Sequence, residues 1–100
     1  MLKKDLIELC LLHLLSQGDQ YGYELLRRLH DAFPDTQESA VYAILRGLCR
    51  EGCSEQYLGK TSDGPARKYY RLTDHGLAQY GELLKQWRTL LAALAELGVT

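Results

Sequence analysis

Hydrophobic residues recur at helical spacing in four stretches of the chain and alternate with polar ones in a shorter stretch between the third and the fourth. The pattern predicts helices over about 3–16, 19 or 20–33, 37–50 and 74–97, and strands over 53–60 and 66–72. Asp63, Gly64 and Pro65 supply the turn between the two strands. The sequence therefore predicts a mostly α fold with a small two-stranded β-wing.

Residues that favour helix ends fall between these stretches. Gly18 ends the first helix, and Pro34 breaks the second. Thr36 and Thr73 are expected to cap the third and fourth helices through their hydroxyl groups. Three helices, a ribbon of two strands and a further helix form the order of a winged helix-turn-helix module, which also serves in protein–protein assembly.

The first and fourth helices carry more apolar surface than one small domain can cover. Leucines and aromatic residues of the fourth helix repeat every seven positions over about three repeats. The second face of the first helix needs either a later helix or another subunit, and we expect much of the seam of the fourth helix to be covered by another chain. The residues predicted to make this contact are Leu6, Leu9, Leu77, Tyr80, Leu83, Leu84, Trp87, Leu90, Leu91 and Leu94.

Length and composition are those of one globular domain. The chain has 100 residues, of which 46% are hydrophobic and 25% charged, and no apolar run is long enough to span a bilayer. We expect residues 1–73 to form the winged helix-turn-helix part and residues 74–100 the dimerisation helix, as a single structural unit. Three cysteines, an odd number, and the lack of a signal-peptide pattern favour the cytoplasm.

Charge is unevenly distributed although the net charge is only −1. The first 41 residues carry four basic and seven acidic side chains, whereas residues 42–71 carry six basic and three acidic ones. Local positive potential attracts phosphate, so double-stranded DNA is the predicted partner. The alternatives are a solvated hairpin with surface charge, or a winged-helix module that uses the ribbon to hold a protein.

Lysine and arginine contacts mostly fix a protein on the DNA backbone, whereas other side chains read base edges. The predicted phosphate contacts include Arg46, Lys60, Arg67 and Lys68, and the candidates for base edges are Ser39, Ala40 and Tyr42. Tyr69 and Tyr70 are interpreted as one core and one surface aromatic residue of a strand, in preference to a stacking platform for single-stranded nucleic acid.

Three segments carry a family likeness. YGYELLRRL, VYAILRGLCREG and GPARKYYRLTDHG occur in this order at 21–29, 41–52 and 64–76. They resemble the PadR family of bacterial transcriptional repressors, and the single C-terminal helix is similar to its short subfamily. The resemblance implies a homodimeric DNA-binding repressor with a pseudo-palindromic operator, in which the last helix crosses the first helix of the partner.

The resemblance also implies roles for individual residues. Tyr42 matches the tyrosine of the family's recognition helix, Tyr23 that of its GYE motif, and Arg67 with Lys68 the basic pair of the wing. Trp87 matches a tryptophan that, in multidrug-responsive members, lines a pocket at the dimer interface and stacks on flat aromatic compounds. A small planar aromatic effector is thus implied near Trp87, Leu84 and Leu91; otherwise Trp87 is a core aromatic of the dimer.

Two departures from the family pattern are present. Residues 37–40, Gln-Glu-Ser-Ala, replace the usual Ser-Pro-Gly-Thr, so Glu38 brings negative charge to the helix end that approaches phosphate. Cys53 and Ser54 stand where apolar residues are usual, and we expect a loosely packed first strand there.

Enzymatic chemistry has little support in the sequence. The chain has no His-Glu-x-x-His, Cys-x-x-Cys or Gly-x-Ser-x-Gly arrangement, so neither a catalytic site nor a metal or other cofactor is expected. Cys49 and Cys53 lie four residues apart. We interpret them as small buried residues, with thiol or metal sensing as the alternative.

Overall fold

The structure, a computed structural model, describes residues 3–59 and 64–100. In chain order, these residues form α1 (Lys3–Ser16), β1 (Gln20–Tyr21), α2 (Gly22–Ala32), α3 (Glu38–Arg50), β2 (Ser54–Gly59), β3 (Arg67–Leu72) and α4 (Asp74–Leu97). The predicted turn residue Asp63 and the candidate contact Lys60 lie outside the described residues.

The core lies between the first three helices and one face of the sheet. Leu11 and Leu12 of α1, Leu25 of α2 and Leu45 of α3 are fully buried. Tyr70 of β3 closes the core from the sheet side, with only 5% of its surface exposed. The predicted mostly α winged helix-turn-helix fold with a long final helix is confirmed.

A short strand that the sequence did not predict joins the ribbon. Gln20 pairs with Tyr70 and Tyr21 with Tyr69, so the sheet has three antiparallel strands in the order β1-β3-β2. The second helix therefore begins at Gly22, and its predicted start at Asp19 or Gln20 is wrong. Extended backbone at these positions gains ladder hydrogen bonds to β3, which a helical turn would forgo.

The two strands of the predicted ribbon pair as expected, from Ser54 opposite Leu72 to Gly59 opposite Arg67. Tyr70 faces the core and Tyr69 the other side of the sheet, which confirms their interpretation as one core and one surface aromatic. Loose packing at Cys53 and Ser54 was the wrong expectation, because only 1% and 3% of their surfaces are exposed. The Ser54 hydroxyl lies 3.1 Å from the Cys49 sulfur, so its polarity is satisfied.

Of the two predicted threonine caps, one is confirmed. Thr73 Oγ1 accepts a hydrogen bond from the Gly76 amide at 3.0 Å, at the first turn of α4. The expected cap at Thr36 is wrong, because α3 begins one residue later, with Gln37 at the cap position and no side-chain cap bond. Thr36 is buried instead, and its hydroxyl has no hydrogen-bond partner among the described residues.

Helix α4 packs against the core as far along as Trp87. Leu83 is buried, and the Tyr80 hydroxyl lies 2.7 Å from His13 Nδ1 of α1. Further along, 37% of Leu91 and 79% of Leu97 are exposed. No helix in the described part of the chain is long and apolar enough to cross a membrane.

Candidate functional site

The surface of α3 divides into a core face and an outer face. Val41, Leu45 and Leu48 recur at helical spacing and are buried against the other helices. This packing turns the predicted contacts Ser39, Ala40 and Arg46 outward, where all three are exposed. The side chain at position 40 is a methyl group, which suits contact with a thymine methyl more than hydrogen bonding.

Tyr42 joins α3 to the start of α2 and to the sheet. Its ring is half-buried, and it lies against Gly22, the first residue of α2. The ring of Tyr70 reaches the same glycine from the sheet side. The side chain of Tyr42 is thus partly a packing residue, and the part left uncovered is the part that could contact DNA.

Exposed cations on β3 continue this surface. Arg67 and Lys68 are both exposed, and neither forms an ion pair within residues 3–59 and 64–100. The Arg67 guanidinium lies 4.9 Å from the centre of the Tyr21 ring, a cation–π contact that does not neutralise its charge. Two such positive charges on adjacent residues suit contact with phosphate.

Arg71 differs from these two cations. Its guanidinium forms a 2.7 Å ion pair with Glu55 of the neighbouring strand and lies 5.3 Å from the Tyr57 ring centre. The Glu55 carboxylate raises the pKa of Arg71 by hydrogen bonding and by its charge. Because this charge is compensated within the protein, Arg71 is a weaker candidate for phosphate than Arg67.

Tyr23 lies at the beginning of α2 and is 57% exposed. Its ring stacks on that of Tyr21 at 6.2 Å. The predicted DNA contacts thus come from three elements, α2, α3 and β3, that Tyr42, Gly22 and the sheet hold next to one another.

An apolar cavity of about 390 Å³ lies between α1, α2 and α4. Trp87 and Leu84 line it, whereas Leu91 does not. The sequence did not predict which residues α1 and α2 contribute to the lining. They are Leu9, Cys10, His13, Leu14, Arg28, Leu29, Ala32 and Phe33.

The cavity has few polar groups, contributed by His13, Tyr80 and Arg28. His13 Nδ1 is 2.7 Å from the Tyr80 hydroxyl, and Arg28 supplies a cation at the rim. Burial raises the pKa of the Cys10 thiol, so the thiol is neutral and adds to the apolar wall. Apolar walls with a few polar groups are typical of sites that bind small molecules. His13 could have been identified from the sequence as a candidate for this cavity, because it is a polar residue within the apolar run of α1.

The predicted dimer contacts fall into three groups. Leu9 and Leu83 are buried within the chain, and Leu77 and Leu91 are exposed. The remaining six are partly covered. They are Leu6, Tyr80, Leu84, Trp87, Leu90 and Leu94.

Cys49 and Cys53 are packed into the protein. Cys53 is buried, and burial is the main cause that raises its thiol pKa. Cys49 is half-buried beside Ser54. The part of the chain that the structure describes contains no group of three or more histidine, cysteine or acidic side chains placed to hold a metal ion.

Comparisons with known proteins place the chain among transcriptional regulators. The sequence profile of the transcriptional regulator PadR-like family matches residues 11–82. An uncharacterised protein of Lysinibacillus sphaericus is 34% identical over 94 residues, which cover 87% of this chain and 86% of that protein.

Solved structures agree with this similarity. The crystal structure of a PadR-like transcriptional regulator from Bacillus cereus is 35% identical, with a TM-score of 0.84 over 92% of this chain and 90% of the other. A Streptococcus transcriptional regulator is 29% identical, with a TM-score of 0.85 over 95% and 94% of the two chains.

Proposed function

The chain belongs to the PadR-like family of transcriptional regulators, and from this premise we propose that it is a homodimeric, ligand-responsive repressor that binds double-stranded DNA through α3 and the wing. It would act in the cytoplasm. Helix α3 enters the major groove with Ser39, Ala40 and Tyr42 towards base edges. The wing places Arg67 and Lys68 on the adjacent backbone, and Tyr23 and Arg46 make flanking contacts.

One observation carries the DNA-binding part of the proposal. The exposed face of α3 and the exposed end of β3 carry Arg46, Arg67 and Lys68, and none of them forms an ion pair among the described residues. Cations that a protein leaves uncompensated on adjoining elements create the local positive potential that phosphate requires. The acidic excess of the first 41 residues keeps the net charge of the whole chain at −1.

The uncovered end of α4 supports a dimer. Its exposed and half-exposed leucines continue a seam that one chain leaves open, and a second copy with the same seam would cover it. A two-fold dimer presents two α3 helices, so the operator is a pseudo-palindrome with half-sites about one helical turn, or a small multiple of it, apart.

The cavity beside Trp87 supports a role for an effector. It adjoins the same seam, so a planar aromatic molecule bound there would contact α4 and bias the spacing of the two α3 helices. Such a ligand releases DNA only to the extent that it binds better to the spacing that does not fit the operator.

The test is fluorescence anisotropy of the protein with a duplex from upstream of its own gene and with a scrambled duplex, each at two salt concentrations. We expect preferential and salt-sensitive binding to its own duplex. The double variant Arg67→Ala/Lys68→Ala should bind both duplexes more weakly. Its salt slope should fall by about 0.9 for each phosphate group that the protein no longer neutralises.

A matched control removes the same two charges elsewhere. Lys85→Ala/Arg88→Ala changes exposed residues of α4, far along the chain from α3 and the wing, and should leave the salt slope unchanged. If neither duplex binds at low salt, or if the wing variant binds as the unmodified protein does, the proposal is wrong.

A further inference from the structure

Four tyrosine rings form a continuous row across the outer face of the sheet, here called the tyrosine ladder: Tyr23, Tyr21, Tyr69 and Tyr57. The first and last pairs are stacked, and the middle pair is tilted by 54°. Successive ring centres are 6.2, 5.9 and 5.7 Å apart. The ladder begins on α2, crosses β1 and β3 and ends on β2. It therefore connects the helix-turn-helix to both strands of the wing.

The ladder also holds a candidate DNA contact in place. Arg67 lies over the Tyr21 ring at 4.9 Å. A guanidinium that stacks on a ring retains its donors for phosphate while its side chain is restricted, so less entropy is lost on binding. Lys68, on the opposite side of the same strand, has no such ring contact among the described residues.

The far end of the ladder is tied to the connection between α1 and β1. The Tyr57 hydroxyl donates a hydrogen bond to Asp19 Oδ2 at 2.7 Å, and this bond is the main cause that raises the pKa of Tyr57. The Arg71 guanidinium lies 5.3 Å from the centre of the Tyr57 ring, and its ion pair with Glu55 also holds it. The wing is thus attached to the rest of the protein by groups on β2, on β3 and in the connection before β1.

A glycine makes room for the ladder. A Cβ atom at Gly59 would lie 2.3 Å from two carbon atoms of the Tyr69 ring. Gly59 is paired with Arg67, so the Tyr69 ring lies diagonally across β2 over the position where any other residue would have a side chain. The Tyr69 ring can therefore occupy this position only because residue 59 has no side chain.

We propose that the tyrosine ladder is a positioning device that holds the wing at a set angle to α2 and α3 and presents Arg67 to the DNA backbone. This inference rests on the proposed function, because it concerns how the same surface binds DNA. Each ring of the ladder contacts a neighbouring ring, and Tyr21 and Tyr57 also carry a guanidinium group, which favours positioning over direct stacking on bases. Tyr21 and Tyr69 act through Arg67 and the wing.

A double-mutant cycle between Tyr21 and Arg67 tests the link to DNA. The probe is the duplex from upstream of the gene. We expect Tyr21→Leu to weaken binding by roughly two- to fivefold for each wing on the DNA, as removal of a cation–π interaction implies. Tyr21→Phe keeps the ring and should bind like the unmodified protein. In an Arg67→Ala background, Tyr21→Leu should weaken binding clearly less than it does in the unmodified protein.

The position of the wing is measured independently by amide hydrogen exchange of residues 54–59 and 67–72. Gly59→Ala displaces the Tyr69 ring without removing it, and we expect faster exchange in both strands and weaker DNA binding. Gly81→Ala on the exposed side of α4, where a Cβ meets nothing within 4 Å, is the control and should change neither.

The outcomes separate this inference from the proposed function. If the unmodified protein binds no duplex while Gly59→Ala still loosens the wing strands, the proposed function fails and the positioning role of the ladder stands. If Gly59→Ala leaves exchange unchanged, the ladder does not position the wing. If Tyr21→Leu weakens binding equally with and without Arg67, the ladder does not present Arg67 to the DNA. Either result overturns the inference.

Discussion

Leu12 in α1 and Leu91 in α4 belong to two helices of similar apolar content, yet Leu12 is fully buried and 37% of Leu91 is exposed. The helices before the wing enclose each other and one face of the sheet. Beyond Trp87, α4 does not pack against this core in the described part of the chain. A 100-residue chain can bury one core, and the surplus apolar surface marks the place where another molecule is expected.

The largest effect is expected where α4 begins, next to the enclosed helices. Gly76, in the first turn of α4, lies so close to the end of α3 and the start of β2 that a Cβ would come within 1.9 Å of the Cys53 carbonyl oxygen. Gly76→Ala must push α4 away from the enclosed region, so we expect a loss of at least about 3 kcal/mol of unfolding free energy. Urea unfolding measures it.

The same substitution five residues later is the control. Gly81→Ala meets nothing within 4 Å and should stabilise the helix by about 0.5–1 kcal/mol. If Gly76→Ala unfolds at the same urea concentration as the unmodified protein, α4 is not seated against Cys53 as described.

A second test concerns only the uncovered region. Leu91→Glu places a charge in the predicted seam, where a dimer would bury it twice. We expect the dimer dissociation constant to rise roughly hundredfold, with helix content at high concentration unchanged. Sedimentation at several protein concentrations measures this constant.

Ala92→Glu adds the same charge outside the leucine rows of α4 and should leave association unchanged. Equal effects of the two substitutions, or a monomeric unmodified protein at all concentrations, would argue against α4 as the dimer contact.

The contrast between the regions also explains what could be predicted from sequence. The bounds of α1 and α4 were predicted correctly because apolar periodicity and the Thr73 cap are local signals. Strand β1 has two residues and depends on a partner some fifty positions away, so no local pattern indicates it. Thr36 was assigned as a cap from residue type alone, but burial decided its place.

The candidate site was predictable only in part, for the same reason. Arg67 and Lys68 were identifiable from charge and family resemblance. The ring contacts of Tyr21 and Tyr57 depend on the register of three strands, and the contributions of His13 and Arg28 to the cavity depend on helix packing. Residues brought together by long-range pairing carry no signature in their own neighbourhood.

The smallest expected effect concerns Trp87, which lies at the border between the covered and uncovered parts of α4. It is the single tryptophan of the chain, so quenching of its fluorescence by a planar aromatic compound would report directly on the cavity. Stacking on an indole contributes a modest part of binding, and we expect Trp87→Ala to weaken the compound's affinity about tenfold by calorimetry.

Tyr80→Phe distinguishes stacking on Trp87 from binding to the polar groups of the cavity, because it removes only the hydroxyl that lies 2.7 Å from His13 Nδ1. An effector that uses the ring of Trp87 and not this hydroxyl should bind the Phe variant with near-normal affinity. If Trp87→Ala binds the compound as tightly as the unmodified protein and still forms the dimer, the indole is neither the ligand wall nor essential to the seam.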